Sequence, residues 1–385
     1  MTEHLPTTED ELASIVADAA AGTTPLEIVG GGTRRALGRP VQAEATLSTA
    51  ALTGITLYEP AALTLVVRAG TPLADVEANL AAQGQILPFE PIDHRPLLGS
   101  EGAPTIGGMV ACAASGPRRI QAGACRDSMI GVRLVDGSGQ VIQNGGRVMK
   151  NVTGYDLVKL MAGQYGTLGV LTEVSFKVLP GPARTISVVI DGLEDAMAVA
   201  AMAEAMGSPF DVSGAAHLNA ETVFRVHGMA DQAGYRAAQL ARRLSQFGAT
   251  RELEGEASQD LWRRIRDCDV YAGGDGAVWR LSVKPSDAAT MVAAIREGLD
   301  AEACYDWAGG LIWLRVADQG DAGAQVIRAQ TAARGGHATL IRASAATRAA
   351  VDVFEPEPTP LARISAGLRA KFDPRGILNP GRMRA

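Results

Sequence analysis

Apolar Leu12, Ile15, Val16 and Ala19 recur at helical spacing in residues 8–20, behind Thr8 and Glu11 in capping-box order. They predict a helix that Gly22 stops. The run LEIVG (26–30) then predicts a short buried strand, and ALTLVVRAG (62–70) a second one. After it, Thr71 as N-cap and Pro72 at the first helical position open a helix with Leu73, Val76 and Leu80 inward and Gly84 at its end. SMIGVRLVDGSGQVIQNGG (128–146) has the pattern of a β-hairpin turning at DGSG. In residues 170–178, Val170, Thr172, Val174, Phe176 and Val178 alternate with Leu171, Glu173, Ser175 and Lys177, predicting a strand with one buried face.

The texture changes after Pro180, Gly181 and Pro182, where a domain boundary is expected. Beyond it, strand-like runs at 186–190, 222–228, 278–283, 311–316 and 338–343 alternate with alanine-rich helical stretches such as 193–206 and 232–248. This order predicts an α+β unit with helices on one face of a sheet. Three strands carry an arginine between apolar neighbours: Arg225, Arg280 and Arg315. Period-2 geometry sets each opposite those neighbours. If the three share a face, it is either a solvated face or a cationic one able to meet a carboxylate or a flavin. The last stretch, KFDPRGILNPGRM (371–383), holds two turn signals around a short apolar core and is expected to dock back on the first unit.

The glycines supply the candidate chemistry. The strand at 26–30 runs into GGGTRRALGR, where Gly30, Gly31 and Gly32 can expose successive N–H groups, Thr33 adds a hydroxyl and Arg34 a charge. By itself a triple glycine is equally a tight turn. It has neither the G-x-G-x-x-G spacing nor the G-K-[ST] of a P-loop. A second run, TIGGMVACAASG (105–116), and a third, GQYGTLGVLTEVSFKVLP (163–180), flank KNVTGYD (150–156). Small residues at this density bring backbone close either to a ligand or to another element.

Composition narrows the classes. The chain has 385 residues, 47% of them hydrophobic, enough for about two domains with cores. A net charge of −6 and only 4% aromatic residues disfavour nucleic acid as a partner. Cys112, Cys125, Cys268 and Cys304 form no C-x-x-C, so neither a zinc site nor an iron–sulfur cluster held within the chain is expected, and no metal site is assigned. The start is acidic without a signal-peptide core, and no apolar run is long enough for a bilayer. The expected location is the cytoplasm, with peripheral docking at the inner face of the membrane through a partner left open.

The GGGT loop, the TIGG run, GYD leading into GTLGVLTE, and the terminal FDP–ILNPG stand in one order over most of the chain. Together they resemble the FAD-binding oxidoreductases of the vanillyl-alcohol-oxidase or PCMH type. VMKNVTGYDLVKLMAGQYGTLGVLTEVSFKVLP and RGGHATLIR are most similar to FAD-binding subunits of bacterial glycolate oxidase complexes. The resemblance implies a two-lobed FAD-binding domain (1–182), a smaller α+β cap (183–354) and a segment packing back on the first domain (355–385). It implies a first pyrophosphate loop of Gly30, Gly31, Gly32, Thr33 and Arg34 and a second of Thr105, Gly107, Gly108, Ala113 and Ser115. Arg126 and Asp127 would approach the flavin, and Tyr155, Asp156, Gly166, Thr167, Gly169 and Val170 would wrap its ring end and ribityl chain.

No histidine stands between Gly30 and Arg39 for a covalent link, so non-covalent FAD is expected, with Cys125 the one linking thiol considered. A base for an α-hydroxyl is sought among His217, His227 and His337; His337 is the candidate, and Arg280 is taken with it as the second catalytic candidate. The implied partners are a catalytic FAD-binding sister subunit, an iron–sulfur subunit and a small 2-hydroxy acid. Open alternatives are a non-catalytic scaffold that keeps the flavin fold, and a stand-alone FAD-dependent alcohol oxidase.

Overall fold

The computed structural model describes residues 2–146 and 154–384. Its first half contains two sheets. Strands Thr2–His4, Ala45–Ser48 and Leu26–Val29 pair in parallel, in that order, and Leu378 bridges the free side of Leu26. Helix Glu9–Gly22 covers this sheet with Leu12 and Val16, which join Leu26, Leu47 and Ile377 in one core. Thr8 and Glu11 form the expected capping box, and the left-handed residue that closes the helix is Thr23, one past Gly22.

The second sheet is antiparallel, with spatial order Ile55–Glu59, Thr64–Arg68, Val170–Lys177, Met129–Val135 and Val141–Gly145. The hairpin read from 128–146 forms its last two strands. Val170–Lys177 departs from the one-faced reading: as the central strand it is buried on both sides, with only Glu173 and Lys177 half-buried. Thr71 is not the helix cap either. Pro72 takes that place ahead of Leu73–Ala81, and the Thr71 hydroxyl donates to the Arg68 carbonyl and accepts the Gly54 amide.

The connection at 181–183 leads into an eight-stranded antiparallel sheet that begins with Arg184–Asp191 and whose last strand in the chain is His337–Arg342. Val212–Leu218, Thr250–Glu254 and Glu302–Asp306 are strands of this sheet that the hydrophobic pattern did not single out. Helices Asp195–Met206, Ala230–Leu244, Ala288–Arg296 and Ala324–Ala332 bury Met202, Leu240, Ile295 and Ile327 against one face, with Trp279, Leu281 and Leu314. The opposite face is not left to solvent. Val223, Val278 and Trp313 on it share a core with Phe89, Met109 and Phe176 of the first half. Helix Gly255–Arg266 also lies there, with the Trp262 Nε1 donating to Ser187 Oγ at 2.8 Å. Arg225, Arg280 and Arg315 all lie on this inner face, by register with Ser187, Trp313 and Val278.

Candidate FAD site

The first glycine run is threaded between neighbours that leave no room for a side chain. A Cβ on Gly30 would stand 2.2 Å from Thr105 Oγ1, and one on Gly31 1.8 Å from the Ala103 carbonyl oxygen. Gly32 turns the chain at φ +75° with open space beside it. Among the described residues, the amides of Gly30, Gly31, Gly32 and Thr33 have no protein acceptor. These four residues line a cleft of about 700 Å³.

Arg34 continues the loop and is only 8% exposed. Its Nε donates to His94 Nδ1 at 3.3 Å and its Nη2 to the Ile92 carbonyl at 2.8 Å. Nη1 has no partner among the described residues and would lie 3.9 Å from a Cβ on Gly108. The carboxylate Arg34 feels, Asp93, is held bidentately by Arg95. Arg34 is thus a buried cation with no acid of its own. Burial, and then the Arg34 and Arg280 guanidiniums, push the pKa of His94 down to about 3, so its ring is a neutral support. The neighbouring Arg35 and Arg382 share one carboxylate, Glu27.

The second run behaves differently. Thr105 caps helix Ile106–Ala111 by accepting the Gly108 amide at 3.3 Å, and the Gly107 amide donates to the Ala69 carbonyl at 2.7 Å. A Cβ on Gly107 would meet Ala69 Cβ at 2.8 Å. These glycines serve the close approach of the helix to the chain after strand Thr64–Arg68. Their amides are spent; both line the cleft, and a Cβ on Gly108 would stand 3.9 Å from Arg34 Nη1.

Gly166, Gly169 and Val170 line the far wall. Tyr165, left-handed at φ 53°, and Asn379 complete it. Asn379 is bound on three sides: its amide to the Leu26 carbonyl at 2.9 Å, its Oδ1 to the Ile28 amide at 2.8 Å and its Nδ2 to the Tyr165 carbonyl at 2.8 Å. The C-terminal segment therefore closes the cleft.

A family model for the FAD binding domain matches residues 4–145. The glycolate oxidase subunit GlcE of Escherichia coli (strain K12) is 39% identical over 373 residues, covering 96% of this chain and 95% of that protein. The chain belongs to the GlcE family of FAD-binding oxidoreductase subunits. The glycolate oxidase subunit GlcD of Bacillus subtilis (strain 168) is 30% identical over 178 residues, 46% of this chain and 36% of that protein. The 4-ethylphenol oxidase from Gulosibacter chungangensis, solved with isoeugenol, has the same fold, with a TM-score of 0.72 at 15% identity over 99% of this chain and 88% of that one. The cleft fits FAD on its own evidence. Unpartnered amides and an acid-free buried guanidinium suit an anion, and a pyrophosphate is one.

Not every expected residue reaches the cleft. Ala113, Ser115, Arg126, Asp127, Tyr155, Asp156 and Thr167 do not line it, and neither do the expected catalytic residues Arg280 and His337. Ser115 Oγ is taken by the Cys125 amide and the Ala113 carbonyl. Arg126 and Asp127 face each other on the surface at 3.8 Å. Tyr155 is 87% exposed, and Asp156 caps helix Leu157–Met161. Thr167 Oγ1 donates to the Gln164 carbonyl. Residues 150–153 of the KNVTGYD run lie outside the described residues. Cys125 is buried with its sulfur 3.9 Å from Met109 Sδ, away from the cleft, and burial pushes its thiol pKa up.

The cap face carries a second group of cations. Arg225 is forked onto Glu90 at 2.8 and 2.9 Å, and Arg315 is paired with Glu302. Arg280 has no hydrogen bond or ion pair to its side chain among the described residues. It lies over Trp307, 5.2 Å from the ring centroid, as does Arg119 at 4.5 Å. Trp307 is itself constrained, left-handed at φ 51°, its amide bound by Asp306 and its Nε1 donating to the Gly116 carbonyl at 3.0 Å. His337 opens its strand opposite Ser282. Its pKa is lowered by desolvation and then by Arg280, which leaves a neutral ring. Arg119 and Trp307 carried no sequence signal of their own; Asn379, before Pro-Gly, did.

Proposed function

We propose that this chain holds FAD non-covalently in the glycine-lined cleft and serves as the flavin subunit of a complex that oxidises glycolate or a similar small 2-hydroxy acid. Residues 1–182 are taken as the flavin lobe, 183–354 as the cap and 355–385 as the returning segment. The reading is carried by one observation: Arg34 is a buried guanidinium and Arg280 a half-buried one, and neither has a carboxylate partner among the described residues. The names of the GlcE and GlcD relatives support the substrate class.

The amides at 30–33 and Arg34 would hold the pyrophosphate, with Gly108 leaving it room and Asn379 and Tyr165 fixing the far wall. FAD supplies a two-electron acceptor for the hydrogen removed with the C–H electrons of an alcohol. Arg280 offers its free guanidinium face to a substrate carboxylate. His337, neutral at pH 7, can accept the hydroxyl proton. The inner face of the sheet shares one core with the first half behind Arg280, while His337 at the strand end is exposed. Electrons would leave to a partner subunit bearing iron–sulfur clusters, beside a catalytic FAD-binding sister subunit. The proposed location is the cytoplasm, with contact to the inner face of the membrane made through the complex. No helix among the described residues is long and apolar enough to cross a membrane.

An absorbance spectrum of the purified chain, followed by anaerobic glycolate, tests this. A flavin spectrum that bleaches, and that in Arg280→Met persists without bleaching, is the expected result. A flavin spectrum indifferent to glycolate would overturn substrate oxidation by this subunit and leave electron relay. Protein that folds without flavin would overturn the cofactor assignment.

A further inference from the structure

A second concavity, of about 1450 Å³ and sharing no lining residue with the glycine cleft, lies along the seam between the two halves. Its walls come from the first half at Gln85, Glu90 and Arg118, from the connection at 181–183, and from helix Gly255–Arg266. Four arginines line it, Arg118, Arg225, Arg263 and Arg266, against one carboxylate, Glu90. That carboxylate is spent, because Arg225 forks both its oxygens and the Arg118 amide takes one again at 2.9 Å. Arg266 is balanced by Asp267 and Arg263 by Asp260, which leaves Arg118 as the cation in excess.

Arg118 is 8% exposed. Its Nε donates to Gln121 Oε1 at 3.1 Å, and its Nη1 is buried without a partner among the described residues. His227, bound to Gln121 and Ser213, is held neutral by burial and by Arg118 and Arg225, so it neither adds to nor relieves this charge. A buried guanidinium nitrogen left unpaired costs free energy that an anion would recover.

We propose that this groove is an anion site for a small molecule bearing a phosphate or several carboxylates, with Arg118 as its buried anchor and Arg263 and Arg266 at its rim. Such a ligand ties the first half to the cap beside the connection at 181–183. It therefore acts on how the two halves are held rather than on the reaction itself. The inference stands whether or not the glycine cleft takes FAD.

Calorimetric titration of the FAD-loaded full chain with inorganic phosphate, and separately with citrate, at ionic strength matched with sodium chloride tests it. Saturable one-to-one binding of either anion is expected, the tighter one naming the ligand class. Arg118→Met should weaken it at least tenfold. The surface change Arg263→Glu, which leaves the fold alone, should weaken it several-fold. Absence of saturable binding overturns the site. So does binding that survives both changes but is lost in Arg34→Met, which would place the anion in the glycine cleft.

Discussion

The runs at 30–34 and 105–108 line the same cleft and both are rich in glycine, yet they use the residue for different ends. In the first, the missing Cβ lets the chain pass between Thr105 and Ala103, and the amides stay unpartnered beside an acid-free Arg34. In the second, the amides are consumed by Ala69 and by the Thr105 cap, and the missing Cβ serves the packing of a short helix. What separates a binding glycine from a packing glycine is the acceptor that a distant residue does or does not supply.

Substitutions can pull the two uses apart. Gly31→Ala should have the largest effect, because the new Cβ lies 1.8 Å from a backbone oxygen that cannot swing aside. A loss of about 3 kcal/mol is expected, read as a lower melting temperature of the FAD-free protein. A melt unchanged from the parent would mean that the first run is not threaded as described. Gly107→Ala should cost about 1–3 kcal/mol, since its Cβ meets Ala69 at 2.8 Å, while the folded fraction keeps its FAD affinity. A loss of affinity without loss of stability would move Gly107 to the binding side.

The smallest effect concerns the support behind Arg34. The folded-state pKa of His94 is depressed to about 3, so below the unfolded value of 6.5 the unfolded chain takes up a proton that the folded chain refuses. This site's contribution is intact above pH 6.5 and is lost progressively as pH falls towards 3. His94→Gln keeps an acceptor for Arg34 Nε and removes the titration. Its stability should fall less on acidification, by about 1.4 kcal/mol at pH 5.5, in denaturant titrations at pH 7.5 and 5.5. Parallel pH dependences in parent and variant would show that His94 is not held neutral.

Much of this contrast was legible in the sequence, but not its sign. The capping box at Thr8, the hairpin at 128–146, the first glycine loop and the return of 371–383 onto the first half all rest on local patterns, and the chain forms them. Period alone set each of the three arginines opposite its apolar neighbours; that they share one face follows from the register of the sheet. Local patterns could not reveal that Ser115 and Thr167 spend their hydroxyls on neighbouring backbone, or that Arg126 pairs with Asp127 at the surface. They could not show that Glu90 and Glu302 claim Arg225 and Arg315 while no carboxylate is paired with Arg280. Those outcomes depend on which acid the fold brings near, and the chain's local periodicity does not encode that.

The most direct test measures two quantities on two variants, the FAD dissociation constant and the FAD-free melting temperature of Arg34→Met and Gly108→Val. Arg34→Met should weaken FAD ~100-fold, about 2.7 kcal/mol, with a smaller change in the melt than Gly107→Ala causes. Gly108→Val, whose Cβ would stand 3.3 Å from the Thr105 cap oxygen and 3.9 Å from Arg34 Nη1, should lose FAD while its melt falls less than that of Gly107→Ala. Unchanged FAD affinity in a folded Arg34→Met or Gly108→Val would contradict the account, because the anion would then be held somewhere other than the first glycine run.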